Sequence, residues 1–409
     1  MKTHRKKDKT GPVLAGVRVI DVTNVLAGPF CSYQLALCGA EVIKVEAPGV
    51  GDLARQLGAD PELSRRKMGA SFLAQNGGKK SITLNLKSEA GKEVLRRLVR
   101  TADVLVENFR PGVMDRLGLG YRELCEYNSS LVYCAISGFG QNGPMKDAPA
   151  YDQIIQGLSG MMSVTGNEDS GPLRAGYPVA DTIGGLTAAF AIAAALLRRE
   201  RTGKGGIIDV AMLDSAIVSL GWVVSNHLIA GVTPRAVGND NFTAAPSGTF
   251  RTQDGLLNIA ANKQEQFEAL AQALGREDLM ADARFAGREC RKRNRAELTR
   301  ELETALAEKS AAEWEAALNR VGVPAGRVLT VPEALELAQI KQREFLQAFD
   351  NVPGVDRGIT LARCGFKLSG GDPAVSAPPP QLGEHTVEIL HAIGYSNAEI
   401  GRLQQTGAV

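Results

Sequence analysis

Residues 17–46 read VRVIDVTNVLAGPFCSYQLALCGAEVIKVE. The apolar run 17–23 (VRVIDVT) reads as a buried strand. Residues 29–38 read as a helix stopped at Gly39, and 41–46 (EVIKVE) as a second strand. Strand, helix and strand in so short a span make a βαβ unit, which implies a parallel sheet. The alternation continues: residues 81–86 (SITLNL), 102–107 (ADVLVE), 131–136 (LVYCAI) and 207–210 all have strand character. A helix from Ser88 to about Arg100 places Val94, Leu95 and Leu98 on one face. Helical patterns also cover 151–162, 182–199 and 212 to about 228. The expectation is a large, Rossmann-like, doubly wound α/β domain.

The character changes near residue 232. Residues 249–260 (TFRTQDGLLNIA) read as two short strands around an Asp254-Gly255 turn, a hairpin signal. Helical stretches near 264–274, 296–308 and 311–321 carry many charges on their outer faces. These features define a smaller α+β domain over 233–324. Residues 1–232 then form the first part of the large domain, and 325–409 return to complete it. Helices are expected there near 332–345 and 385–393, and Pro378 to Pro380 form a loop.

Composition narrows the function. The 409 residues are 44% hydrophobic and 22% charged, as in ordinary soluble proteins, and give room for two domains. A net charge of +2 implies no basic field for nucleic acid. The basic start MKTHRKKDKT has no apolar region behind it, so it reads as a solvated tail and not a secretory signal. The apolar run at 186–197 is too short to span a membrane. Six cysteines without a CxxC pair argue against zinc or a disulfide framework and suggest a reducing cytoplasm. His4, His227, His385 and His391 are read as structural, and no metal site is expected.

Two motifs invite a nucleotide reading. Gly138, Gly140 and Gly143 spell GxGxxG after the strand at 131–136, but Pro144 and the residues after it make a turn where a dinucleotide fold would start a helix. Residues 106–121 (VENFRPGVMDRLGLGY) are more telling. A strand ends at Glu107, and ligands of α/β sheets bind beyond strand C-termini. Asn108, Arg110 and Arg116 stand there, two of them cations suited to phosphate, although an arginine-capped turn would use the same residues.

In residues 171–190 (GPLRAGYPVADTIGGLTAAF), a loop with Pro172 and Pro178 delivers Asp181 to the start of a long apolar helix. Asp is a favoured helix N-cap, and the helix end helps keep its carboxylate ionised. Gly184 and Gly185 leave space for something bulky. Two readings stay open on these residues alone: a helix cap, or an ionised nucleophile in a pocket shaped by small residues.

Residues 16–52, 77–95, 102–121, 136–144 and 176–205, in that order along the chain, closely resemble the class III CoA-transferases, the CaiB/BaiF family that includes formyl-CoA transferase. The resemblance implies a Rossmann-like large domain, a small domain, and a homodimer whose chains pass through each other like linked rings. It implies that Asp181 is the catalytic aspartate, in the context GxPxADxxxG. It carries CoA contacts to Ala27, Leu84, Lys87, Asn108, Arg116 and Leu117. Lys87 and Arg116 suit phosphates, and Ala27 and Leu84 suit adenine or pantetheine packing. No tightly bound cofactor is implied; CoA and acyl-CoA are substrates. Two positions depart from formyl-CoA transferase: Ala47 replaces an arginine that helps hold CoA, and residues 243–248 (TAAPSG) replace a glycine-rich loop.

The implied reaction moves CoA from an acyl-CoA, with succinyl-CoA the favoured donor, to a carboxylic acid. Arg174 beside Asp181 suggests a dicarboxylate acceptor. Within the family, an α-methylacyl-CoA racemase is the alternative, but it needs two proton-transfer groups, and Tyr151-Asp152 stands where racemases carry His-Asp. A non-catalytic CoA-binding protein, with Asp181 a mere cap, is the alternative of another class.

Overall fold

Strands β1 (Arg18–Asp21), β2 (Glu41–Glu46), β3 (Lys79–Thr83), β4 (Val104–Glu107), β5 (Val132–Ser137) and β6 (Gly206–Ala211) pair in parallel in the order β3-β2-β1-β4-β5-β6. The computed structural model describes residues 11–409; the basic tail and His4 lie outside the described residues. The strand order reverses between β1 and β4, which opens a crevice beyond the strand C-termini.

The strands are apolar on both faces because both faces are covered. Val104 and Val106 of β4 point to a layer built on helices α1 (Ala27–Leu37) and α5 (Val179–Thr202). Leu105 points to the other layer, built on α2 (Glu89–Val99), α3 (Tyr121–Tyr127) and the C-terminal helices α12 (Thr386–Ala392) and α13 (Asn397–Gln405). Helix α2 shows why these residues coil as they do: Ser88 caps its start by accepting the Gly91 N–H (3.1 Å), and Val94, Leu95, Leu98 and Val99 form one buried stripe.

Helix α5 is longer than the apolar run at 186–197 suggests. At 24 residues it is long and apolar enough, by length and composition alone, to cross a bilayer. Ala188, Ile192 and Leu196 pack into the core, while Leu186, Phe190 and Leu197 are exposed in the single chain. Its two glycines do not make open space. A Cβ on Gly185 would sit 2.5 Å from the Ala27 carbonyl oxygen of α1, and one on Gly184 3.0 Å from Met212 Cγ. They are the points where neighbouring elements approach the helix backbone. The helix expected over 212–228 is broken: α6 (Met212–Ser219) and α7 (Trp222–Ala230) meet at 81°, turned at Gly221 (φ 52°), and α7 buries no residue.

Charged side chains are buried beneath the sheet edge at the crevice. Asp21 accepts from Lys79 Nζ (3.0 Å), Ser32 Oγ (2.6 Å) and Thr23 Oγ1 (2.5 Å). Lys44 pairs with Asp52 (2.9 Å), and Arg55 with Glu46 (2.6 Å). Burial alone would raise the Asp21 carboxyl; Lys44, Lys79 and the two hydroxyls outweigh it and hold it well below the usual range. Burial pushes Lys79 down to about 8.

The described residues form two compact units: 11–161, 174–231 and 341–409 in one, 162–173 and 232–340 in the other. In the smaller unit β7 (Ser247–Arg251), β8 (Leu256–Ala260) and β9 (Ala325–Arg327) make an antiparallel sheet, with the hairpin turn at Asp254-Gly255. Strand β9 adds to the hairpin (Leu257 opposite Arg327), and residues 341–409 belong with the larger unit. Instead of one helix over 332–345, there are short helices Val331–Leu335 and Ala338–Gln342. Segment 243–248 is pinned by arginines: Arg288 donates to the Thr243 carbonyl (2.7 Å), Arg291 to Ala245 (2.9 Å) and Arg295 to Ala244 (2.8 Å). It is a fastened strap, unlike a glycine-rich hinge.

Gly185→Ala gives a direct test of the α1–α5 crossing. Alanine normally gains about 1 kcal/mol over glycine inside a helix. Here the melting temperature is expected to fall, because the new Cβ meets the Ala27 carbonyl. A thermal melt followed by circular dichroism checks the sign.

Candidate active site

Asp181 is the third residue of α5, not its cap. The residue at the cap position, Pro178, has no side-chain capping bond. The capping acceptor comes from elsewhere: Asp152, the first residue of α4 (Asp152–Leu158), accepts the N–H of Ala180 (2.8 Å) and of Asp181 (3.3 Å) through Oδ1. No local spacing encodes a cap that arrives from so far back in the chain. The Asp181 carboxyl oxygens take no hydrogen bond from the described residues.

Burial, and then the charge of Asp152, push the Asp181 carboxyl up to about 7. The helix end does not hold it fully ionised, as the sequence alone suggested. Gly184 and Gly185 lie inside the helix, where each N–H bonds to the carbonyl four residues back. Their amides are therefore committed to the helix.

At the crevice, Asn108 follows β4 and Asn24 follows β1. Asn108 Oδ1 accepts the Asn24 N–H (2.8 Å) and its Nδ2 donates to the Asn24 carbonyl (2.8 Å). One amide thus bridges the two strands where the order reverses. The next residue, Val25, has φ 69°, costly for a β-branched side chain. Its N–H bonds Asp52 (2.9 Å), its carbonyl bonds Gln75 (2.6 Å), and Lys44 donates to the Thr23 carbonyl (2.9 Å).

The other sequence candidates lie along the same edge. Ala27 opens α1 and is buried, and Leu84, just past β3, is a core residue whose N–H bonds the Glu46 carbonyl (2.7 Å). Their side chains are buried in the core. Leu117 also leans on the core. Lys87 and Arg116 are exposed. Arg116 lines a cavity of about 760 Å³ with Glu107, Tyr133, Arg122, Gln141 and Lys146. The stretch after Gly143 is turn until α4 begins at Asp152, with Gly140 at φ 86° and Gly143 at φ 89°. The GxGxxG string therefore opens no helix. Among the described residues no His, Cys, Asp and Glu cluster could hold a metal.

The model of CoA-transferase family III matches residues 14–386. The chain belongs to CoA-transferase family III. It is 40% identical over 371 residues to the acetyl-CoA:oxalate CoA-transferase of Acetobacter aceti, across 90% of this chain and 92% of the relative. It is 36% identical over 401 residues to the succinyl-CoA:glutarate CoA-transferase of Mus musculus, across 97% and 90%. A crystal structure of a CAIB/BAIF family protein from Brucella suis superposes with a TM-score of 0.82 at 37% identity, over 93% of this chain and 99% of that one. This family III CoA-transferase is thus an enzyme that moves coenzyme A from an acyl-CoA to a carboxylic acid.

One residue of this transferase escaped the sequence reading as a chemical group. Glu107 ends β4 and turns into the wall of the cavity, where burial pushes its carboxyl up to about 7. The Phe109 N–H (2.8 Å) and Tyr133 hydroxyl (3.4 Å) donate to it. A glutamate closing an apolar run was the only signal, and the sequence reading used it to end the strand.

The raised Asp181 carboxyl has a consequence for stability. Its folded value exceeds the usual 3.8, so folding favours the protonated form. The ionised form therefore lowers stability as pH rises from about 4 through about 7, with the full loss above. Asp181→Asn is expected to be more stable than wild type at pH 8, and the gap should close toward pH 4. Urea midpoints at both pH values measure this.

Proposed function

We propose that Asp181 is the nucleophile of this transferase and that succinyl-CoA or a similar acyl-CoA hands CoA to a dicarboxylate. One observation carries the reading: a carboxyl without a hydrogen-bond partner, on the first turn of a helix that follows β5 and so stands beyond the strand C-termini. An Asp181 oxygen attacks the thioester carbonyl, the C–S bond breaks, and CoA leaves as thiolate, giving a mixed anhydride. The thiolate attacks the aspartyl carbonyl, the first acid leaves as carboxylate, and an aspartyl-CoA thioester remains. The acceptor carboxylate repeats these steps in reverse, which restores Asp181 and yields the new acyl-CoA. The thioester's energy passes through each covalent stage. Water must be kept out, since each stage is hydrolysable.

In this reading Lys87 and Arg116 hold phosphates of CoA, Asn108 acts by clamping Asn24, and Ala27, Leu84 and Leu117 support the edge from the core. The names of the A. aceti and mouse relatives pair an acyl-CoA with oxalate or glutarate, which supports a dicarboxylate acceptor. Arg174, exposed in the loop before Asp181, is the candidate partner for its far carboxylate. The exposed apolar residues Phe190, Trp222 and Ile229 support burial in an interlinked homodimer. We place the enzyme in the cytoplasm, with no nucleic-acid or membrane partner and no tightly bound cofactor. A racemase would need a second base, and Tyr151, a 70% exposed phenol where racemases carry His, does not supply it.

Two outcomes test this reading. Wild-type enzyme incubated with succinyl-CoA and quenched with hydroxylamine should carry a hydroxamate on the peptide containing Asp181. Asp181→Asn should lose at least about three orders of magnitude in kcat, the scale for a lost nucleophile. An adduct on Asp152 or a cysteine would refute the assignment. Separately, Arg116→Ala should raise KM for acyl-CoA and flatten its dependence on salt, because one cation–phosphate contact is gone; steady-state kinetics at two ionic strengths decide it.

A further inference from the structure

Between Pro172 and α5 the chain is a loop whose residues 176–178 are exposed, yet it carries the reactive carboxylate. Two side chains of α4, one turn apart, hold it. Gln156 is fully buried, and each of its polar atoms is used: Nε2 donates to the Tyr177 carbonyl (3.2 Å) and to Asp152 Oδ2 (2.6 Å), and Oε1 accepts the Ala175 N–H (2.9 Å). Asp152 is 8% exposed, and its other oxygen accepts the Ala180 and Asp181 N–H groups. Four backbone sites between 175 and 181 thus meet one Asp–Gln pair.

We propose that Asp152 and Gln156 are a positioning pair for Asp181, with Gln156 setting the path of the loop and the charge of Asp152 setting the nucleophile's reactivity. The proposal rests on Asp181 being the nucleophile. A cap alone does not call for a charge here, because Asn caps a helix about as well as Asp. A carboxylate does what Asn cannot: it places a like charge beside Asp181, which favours the protonated form and makes the ionised form more basic. Other elements packed on α5 supply no competing charge at this point. Helix α1 offers Cys31 and Tyr33, with Cys38 just past its end, β5 offers Tyr133 and Cys134, and β6 and α6 offer Asp209 and Asp214. Of all these groups and Asp152, only Asp152 acts on the Asp181 carboxyl.

The test compares pH profiles and trapping. Asp152→Asn keeps an acceptor for the helix N–H groups and removes the charge. The acid limb of kcat for CoA exchange from succinyl-CoA should then move down by roughly one pH unit, the scale of a neighbouring-charge effect. Gln156→Ala should lower kcat by at least about ten-fold through misplacement of the carboxylate, with KM for succinyl-CoA within about two-fold because CoA itself is not touched. An acid limb unmoved in Asp152→Asn, or a wild-type kcat in folded Gln156→Ala, overturns the proposal. Should Asp152→Asn fail to fold, the kcat-against-KM split of Gln156→Ala decides alone. Hydroxylamine trapping on the wild type separates the two levels. An adduct on Asp181 with unmoved profiles sinks only the positioning pair, whereas an adduct elsewhere removes the nucleophile on which it rests.

Discussion

The crevice edge of the sheet, where the strand order reverses, depends on charges buried beneath it. Lys44 and Asp52 reach up from that lattice to the Thr23 carbonyl and the Val25 N–H, and Asp21 anchors Thr23 from the same place. Val25 sits in a left-handed conformation that its branched side chain disfavours. The corner persists because each of its backbone groups has a partner on a different element. Buried ion pairs of this kind add little net stability, since desolvation offsets attraction. Their contribution here is geometric: they leave the β1–α1 corner one conformation, with Asn108 closing it from β4.

The electrostatics of Asp181 illustrate how magnitudes decide. A helix start favours a carboxylate by about 1 kcal/mol, rarely 2. A rise from 3.8 to about 7 corresponds to roughly 4 kcal/mol against ionisation. Burial and a second carboxylate therefore win over the helix dipole. The same competition runs the other way at Asp21, where two lysines reverse the effect of burial. Asp21 on a strand and Asp181 on a helix thus behave in opposite ways, set by whether their neighbours are cations or another anion.

Much of the fold was legible because parallel strands covered on both faces are continuous apolar runs. Residues 41–46 were read with their observed bounds, and the others shifted by one to three residues, as in β3, where polar Lys79 carries the ladder onward. The hairpin at Asp254-Gly255 was legible through its turn. The strand β9 was not: Ala325–Arg327 is too short to show alternation, and only its pairing with β8 makes it a strand. Asp181 could be singled out through its motif, but its surroundings could not be read. The cap from Asp152, the Gln156 bonds and the role of Gly185 against Ala27 are all contacts between distant segments. A small residue in sequence signals close approach without saying what approaches.

The discontinuity of the larger unit bears on the order in which the molecule is made. Ile389, Leu390, Ile400 and Leu403 complete the layer that also contains Ile82, Leu84 and Leu105, and the Asn85 N–H bonds the Ala408 carbonyl (2.8 Å). During synthesis the chain leaves the ribosome N-terminus first. The sheet, with its buried charges and the edge beside Lys87, therefore waits with one layer open until residues 386–408 emerge. The smaller unit, drawn mostly from 232–340, has all its strands available before that moment. A nascent chain stalled short of α13 would present a sheet whose floor is missing, and this makes the emergence of α13 the step that commits the larger unit to its native form.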